Sequence, residues 1–143
     1  MSIQRIVIVA VAVIVSVSCS QSTGSEDFRK YRTRYEAVID NARELARKPE
    51  ETINFRTDWD FDYFARPEDT NVCAVRTESG MLFVLILAYS HHLGVKFGYI
   101  YTDMSMVPEE IDQMLDTYGC GNWSLTEKLN DNWWAMEYST TYN

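Results

Sequence analysis

The clearest periodic signal in the chain lies between residues 26 and 48, where apolar side chains recur at the three- and four-residue spacing of one helix face. Glu26 and Asp27 precede the stripe and Pro49 follows it, which suits the two ends of a helix. The pattern therefore predicts an amphipathic helix over 26–48. Its apolar stripe consists of Phe28, Tyr31, Tyr35, Val38, Ile39, Ala42, Leu45 and Ala46.

Period-two alternation and short apolar runs predict strands in much of the remaining chain. From Ile53 to Tyr63, aromatic and apolar residues alternate with polar and acidic ones, which is typical of a half-buried strand. Ser79-Gly80 separates two apolar runs, as a tight hairpin turn would. Pro108 and Gly119 bracket a helix of about three turns. The predicted strands are 53–63, 72–78, 81–89, 95–102 and 132–139.

The predicted elements follow the order α-β-β-β-β-α-β, with most strands joined as hairpins. This order predicts an α+β two-layer domain, in which the long N-terminal helix packs on one face of an antiparallel sheet of about five strands. The second, short helix precedes the last strand. The sequence contains no internal repeat or interdomain linker, so residues 26–143 are interpreted as a single domain.

The N-terminus has the pattern of an export signal. Arg5 is followed by the unbroken apolar run Ile6–Val15, and mostly small residues lead on to Cys19. This run is shorter than the roughly 20 apolar residues that a transmembrane helix needs. The segment therefore favours a secretory signal.

The end of this segment, VSVSC at 15–19, resembles the lipobox of bacterial lipoproteins, in which a small residue precedes a cysteine that becomes lipidated. The resemblance implies that Cys19 carries palmitate-type acyl chains and anchors the protein in the cell envelope. Ser20 implies the outer membrane where two membranes are present. An ordinary cleaved signal, giving a secreted or periplasmic protein, and an uncleaved anchor stay open as alternatives. The implied segments are a signal peptide over 1–18 and a lipidated cysteine with a flexible tether over 19–25.

The cysteine count is consistent with export. If Cys19 carries lipid, Cys73 and Cys120 remain as a pair. An exported protein meets an oxidising compartment in which a disulfide persists. The sequence therefore predicts a bridge between Cys73 and Cys120, with two buried thiols as the alternative.

The chain is acidic, with 13 Lys and Arg against 21 Asp and Glu and a formal net charge of −8. A phosphate-binding surface needs a basic excess, so this balance argues against nucleic acid as a partner. The predicted helix differs, because it holds seven basic and five acidic residues. Its Arg29–Arg34 cluster either belongs to a solvated outer face or contacts anionic lipid headgroups close to the tether.

Three acidic residues raise the question of a metal site. Asp58, Asp60 and Asp62 match the first three ligand positions of an EF-hand calcium loop. Tyr63 then stands where such a loop has glycine, and Asp69 where it has glutamate. The row is therefore interpreted as a solvated strand face, with a bound cation as the alternative, and no cofactor is predicted.

The sequence offers one candidate catalytic chemistry, based on a thiol. Cys120 lies between two glycines, and His91 and His92 are the only histidines in the chain. One of these histidines with Cys120 would form a nucleophile pair, which a disulfide would abolish. The sequence therefore favours a non-catalytic protein without excluding an enzyme.

All four tryptophans follow residue 58. Trp133 and Trp134 are adjacent in a predicted strand, so they point to opposite faces. They either pack in the core or, with Trp59, form a contact surface for a protein or glycan partner. The sequence thus predicts a lipid-anchored envelope protein that binds such a partner, with a thiol-dependent enzyme or a structural assembly subunit as alternatives.

Overall fold

The computed structural model of the protein describes residues 24–57, 70–90, 95–118 and 123–139. Within these ranges the chain forms two helices and six strands. Neither of these helices is long and apolar enough to cross a membrane. The elements are α1 (Gly24–Leu45), β1 (Thr52–Phe55), β2 (Val72–Arg76), β3 (Leu82–Ser90), β4 (Val95–Thr102), α2 (Pro108–Tyr118), β5 (Trp123–Lys128) and β6 (Trp133–Ser139).

The six strands form one antiparallel sheet in the order β1-β2-β3-β4-β6-β5. Strands β1 to β4 each pair with their neighbours in sequence, whereas β6 lies between β4 and β5. The two longest strands, β3 and β4, occupy the centre of the sheet. The predicted α+β class, with the N-terminal helix packed on an antiparallel sheet, is confirmed.

Helix α1 packs on one face of the sheet through most of its predicted apolar stripe, but Leu45 at its last position is 45% exposed. Its buried side chains meet alternate residues of β3, Leu82, Val84 and Ile86, which are completely buried. Because successive strand residues point to opposite faces, these contacts define a first core on the α1 side of the sheet. The buried residues of α1 are Phe28, Tyr35, Val38, Ile39 and Ala42.

Helix α2 covers the opposite face of the sheet, a placement that the sequence pattern did not predict. Ile111 and Leu115 pack with Phe83 and Leu85, the β3 residues that alternate with those of the first core. These residues form a second core on the α2 side. The short helix precedes the last two strands of the chain, β5 and β6, rather than one.

The β2–β3 hairpin turns at Ser79-Gly80, as predicted. Gly80 has a φ of 89°, in the left-handed region that residues with a side chain rarely adopt. The hydroxyl of Thr77 accepts a hydrogen bond from the backbone N–H of Met81 at 3.1 Å and lies 2.9 Å from the Ser79 hydroxyl. The turn is therefore held by both a glycine conformation and side-chain hydrogen bonds.

Strand β1 is shorter than the predicted segment 53–63, because it ends at Phe55. Beyond it, the side chain of Asn71 accepts a hydrogen bond from the Thr57 amide at 2.8 Å and donates one to the Thr57 hydroxyl at 2.9 Å. These side-chain bonds replace the backbone pairing that would continue the strand. The remainder of the predicted strand falls in residues 58–69, outside the described ranges.

Strand β5 was not predicted, and it brings the sheet to six strands instead of about five. Trp123 and Leu125 are half-buried, whereas the other four residues of the strand are exposed. Two apolar positions are too few for a recognisable period-two pattern. Backbone pairing with β6 establishes this strand.

A close approach of neighbouring atoms explains the glycine in the middle of β4. A Cβ atom at Gly98 would overlap the carbonyl oxygen of Ile86 and come within 2.6 Å of the terminal methyl group of Met136. Backbone on β3 and a core side chain on β6 thus leave no space for a side chain. The tight packing of the three central strands depends on this glycine.

Candidate functional site

Most residues that the sequence analysis singled out lie outside the described ranges. Cys73 is described, and it lies half-buried on β2 against the second core. The disulfide, cation and thiol hypotheses therefore stay predictions. The residues outside the described ranges are Cys19, Asp58, Trp59, Asp60, Asp62, His91, His92 and Cys120.

The structure places Trp133 and Trp134 in the two cores. Trp133 is 3% exposed and packs in the first core, whereas Trp134 is 5% exposed and packs in the second. Their opposite orientations are as predicted. Both rings fill the space between the sheet and its helices, as the core-packing alternative predicts, and a contact with a partner stays a prediction.

A polar network within the first core joins the start of α1 to the sheet. The hydroxyl of Tyr35 donates a hydrogen bond to Oδ2 of Asp27 at 2.7 Å, and the Tyr99 hydroxyl lies 2.9 Å from the same oxygen. The Tyr99 hydroxyl is also 2.8 Å from the carbonyl oxygen of Gly24. One carboxylate oxygen thus lies within hydrogen-bond distance of two phenols, one on α1 and one on β4.

Burial raises the pKa of both Tyr35 and Tyr99 far above the ordinary value of about 10. Asp27 raises both pKa values further, because a phenolate would stand next to its carboxylate. Both phenols stay protonated across the physiological range. The network is therefore a structural connection between helix and sheet.

We expect the free energy of unfolding to fall as the pH rises above about 10. In the unfolded chain these tyrosines ionise near pH 10, whereas in the fold they stay protonated, so the folded state binds more protons. Each contributes a slope of up to about 1.4 kcal/mol per pH unit. Urea unfolding at about pH 9 and about pH 11 measures this dependence. The double variant Tyr35→Phe/Tyr99→Phe should depend on pH less steeply, and an unchanged slope would contradict the assignment.

A cleft of about 510 Å³ opens beside the β2–β3 turn and the C-terminal part of α2. It is a shallow depression that is open to solvent. The lining combines carboxylates and hydroxyls with a phenol and two thioethers, so it offers both polar and apolar contacts. The lining residues are Glu50, Thr77, Glu78, Ser79, Met81, Met114 and Tyr118.

Glu50 connects the two sides of this cleft. Its Oε1 accepts a hydrogen bond from the backbone N–H of Glu78 at 2.9 Å, and its Oε2 accepts one from the Tyr118 hydroxyl at 2.7 Å. Glu50 has a φ of 64°, which is uncommon for a residue other than glycine. Its hydrogen bond raises the pKa of Tyr118 above the ordinary value. The carboxylate and the phenol are thereby held in place, an arrangement that suits hydrogen bonding to hydroxyl or amino groups of a ligand.

The sequence pattern did not predict this pair of residues. Glu50 and Tyr118 are 68 residues apart in sequence. Pro49, next to Glu50, indicates the end of a helix, and the sequence pattern places Tyr118 at an apolar position of the second helix. Neither signal indicates that the two side chains meet, so only the fold brings them together.

In the part of the chain that the structure describes, no group of three or more His, Cys, Asp or Glu side chains is placed to hold a metal ion. The residues of the predicted cation site lie elsewhere, in 58–69. The chain matches no protein-family model, no curated protein and no solved structure.

Proposed function

We propose that this chain is an exported, lipid-anchored protein of the bacterial cell envelope, whose α+β domain binds a protein or glycan partner. One observation carries the proposal: the apolar run Ile6–Val15 leads into Ser18-Cys19, and a polar stretch follows. Such a signal has no role inside a folded domain, and it suits export and lipidation at Cys19. Several acyl chains on one residue give stable membrane anchoring.

The position of the folded domain supports this proposal. Helix α1 begins at Gly24, five residues after Cys19. The Tyr99 hydroxyl bonds to the Gly24 carbonyl and so holds the first residue of the helix on the sheet. Among the described residues, the buried apolar side chains of both cores lie between Phe28 and Met136. The described part of the domain, which begins at Gly24, thus closely follows the proposed anchor in sequence.

The cleft around Glu50 supports the binding part of the proposal. It pairs two carboxylates with hydroxyls and the Tyr118 ring, groups that bind sugar hydroxyls or basic side chains. Residues 49–143 carry 16 acidic and five basic residues, which would steer a basic partner toward this part of the domain.

The test is the intact mass of the protein purified from the membranes of its native host. We expect a chain that begins at Cys19 and carries acyl chains. The matched variant Cys19→Ser should lose both the acyl mass and the processing. A chain that retains Met1, or one that begins at another residue without lipid, would contradict the anchor.

The same preparation tests the predicted disulfide. Alkylation before and after reduction counts the reactive thiols, and we expect Cys73 and Cys120 to react only after reduction. Two thiols that alkylate without reductant would contradict the bridge. An unusually reactive Cys120 would favour the thiol-dependent enzyme instead.

A further inference from the structure

The first half of α1 carries exposed positive charge that the fold does not neutralise. Arg29, Lys30 and Arg34 are exposed and have no carboxylate partner among the described residues. By contrast, Arg43 in the second half of the helix lies 3.3 Å from Asp103 and 3.4 Å from Asp40. Arg47 and Lys48, just beyond the far end of the helix, are also exposed and have no carboxylate partner among the described residues. Unneutralised positive charge therefore lies at both ends of α1, and the larger group, Arg29, Lys30 and Arg34, lies at the end that follows Cys19 in sequence.

Tyr31 interrupts the helix in the middle of this segment. Its φ and ψ, −112° and 18°, lie outside the helical range. Lys30 and Arg34 both lie over its ring, with their charged groups 5.1 and 4.9 Å from the ring centre. We call Arg29, Lys30, Tyr31 and Arg34 the basic turn. Basic side chains around an amphipathic aromatic ring are favoured at the boundary between water and lipid headgroups.

The anchor and the basic turn are close enough to reach one membrane surface. Five residues span at most about 18 Å, so Gly24 stays within that distance of a lipidated Cys19. Arg34 lies a further 15 Å or so along the helix. The Tyr99 hydroxyl holds Gly24 on the sheet, so the start of α1 has a defined position in the domain.

We propose that the basic turn lies on an anionic lipid surface, and this inference depends on the lipid anchor of the proposed function. Residues 49–143 hold 16 acidic and five basic residues, so an anionic membrane repels this larger part of the domain. The basic turn therefore sets the orientation of the domain on the membrane and leaves the cleft around Glu50 to the partner. Three basic side chains near such a surface together favour docking by roughly a hundredfold.

The test is the rate at which an amine-acylating reagent modifies each lysine in the full chain from native membranes. The protein is reconstituted in vesicles of phosphatidylcholine alone, or with about one-third phosphatidylglycerol to give a negative surface potential. Peptide mass spectrometry measures the extent of acylation at Lys30 on the basic turn and at the exposed Lys128 on β5. We expect the anionic vesicles to slow the acylation of Lys30 by more than about tenfold and that of Lys128 little. About 1 M salt should restore the rate at Lys30, because it shortens the screening length to about 3 Å.

Two charge-reversal variants of equal net charge provide the matched control. Arg29→Glu/Arg34→Glu reverses two charges of the basic turn but keeps Lys30 as the reporter. It should abolish the protection of Lys30, that is, the slower acylation on anionic vesicles. Arg47→Glu/Lys48→Glu makes the same change beyond the far end of α1 and should leave the protection intact. Equal acylation of Lys30 on both vesicle types, or equal slowing of Lys30 and Lys128, would overturn the inference.

The same mass spectra separate this inference from the proposed function. If Cys19 carries no lipid, the anchor is disproved, yet added vesicles still show whether the anionic surface protects Lys30. If Cys19 is lipidated and Lys30 is not protected, the anchor stands and the docking of the basic turn is disproved.

Discussion

Replacing Trp133 with alanine should lower the free energy of unfolding by about 3–5 kcal/mol, the usual cost of removing a large aromatic side chain from a core. The indole is 3% exposed and its ring centre lies 5.0 Å from that of Phe28 and 5.2 Å from that of Tyr101. Its loss would leave a cavity between α1 and the sheet. Denaturant unfolding at neutral pH measures the change.

Met104→Ala is the control for this substitution. Met104 is 61% exposed, so its truncation removes little buried surface and should change stability by no more than about 0.5 kcal/mol. If Trp133→Ala also costs less than about 1 kcal/mol, the ring does not support the core. That result would favour the alternative hypothesis, in which Trp133 contacts a partner.

Replacing Asp27 with alanine should cost about 2–3 kcal/mol, because the buried Tyr35 hydroxyl loses a charged acceptor. The Tyr99 hydroxyl keeps the Gly24 carbonyl as its second acceptor, so it contributes less than Tyr35 to the fall in the free energy of unfolding. Asp27→Asn retains an acceptor oxygen, so its free energy of unfolding should lie between those of the wild type and the alanine variant. Urea unfolding of the three proteins at one pH measures this series.

Glu26→Ala is the matched control for Asp27→Ala. Both acidic residues lie in the first turn of α1, so both variants lose the same interaction with the helix dipole. Glu26 is exposed, and its removal should cost no more than about 0.5 kcal/mol. Equal losses of unfolding free energy in the two variants would show that the negative charge near the helix end stabilises the fold. The hydrogen bond to Tyr35 would then make no measurable contribution.

Local patterns predicted those elements whose apolar residues form a regular stripe or a continuous run. Helix α1 has a regular apolar stripe, and the β2–β3 hairpin has a glycine at its turn, so both were recognised. Adjacent Trp133 and Trp134 had to point to opposite faces of a strand, and they do. Strand β5 escaped prediction because only two of its six residues contact the core.

The sites depend on contacts that no local pattern contains. Asp27 and Tyr99 are 72 residues apart, and Glu50 and Tyr118 are 68 apart. Each pair joins a helix to a different segment, which requires the sheet order and the placement of both helices. Charge on α1 was visible in the sequence, but only the structure distinguishes Arg43, which has ionic partners, from Arg29, Lys30 and Arg34.

The sequence by itself determined the α+β class, the extent of the main helix within a few residues, and the opposite orientations of the adjacent tryptophans. These properties follow from 3.6- and two-residue periodicity, which acts between near neighbours in the chain. The tertiary structure decided that β6 lies between β4 and β5, that α2 closes a second core, and that both tryptophans are buried. Burial and hydrogen-bond partners are properties of distant segments in contact, so they exist only once the sheet and its helices have assembled.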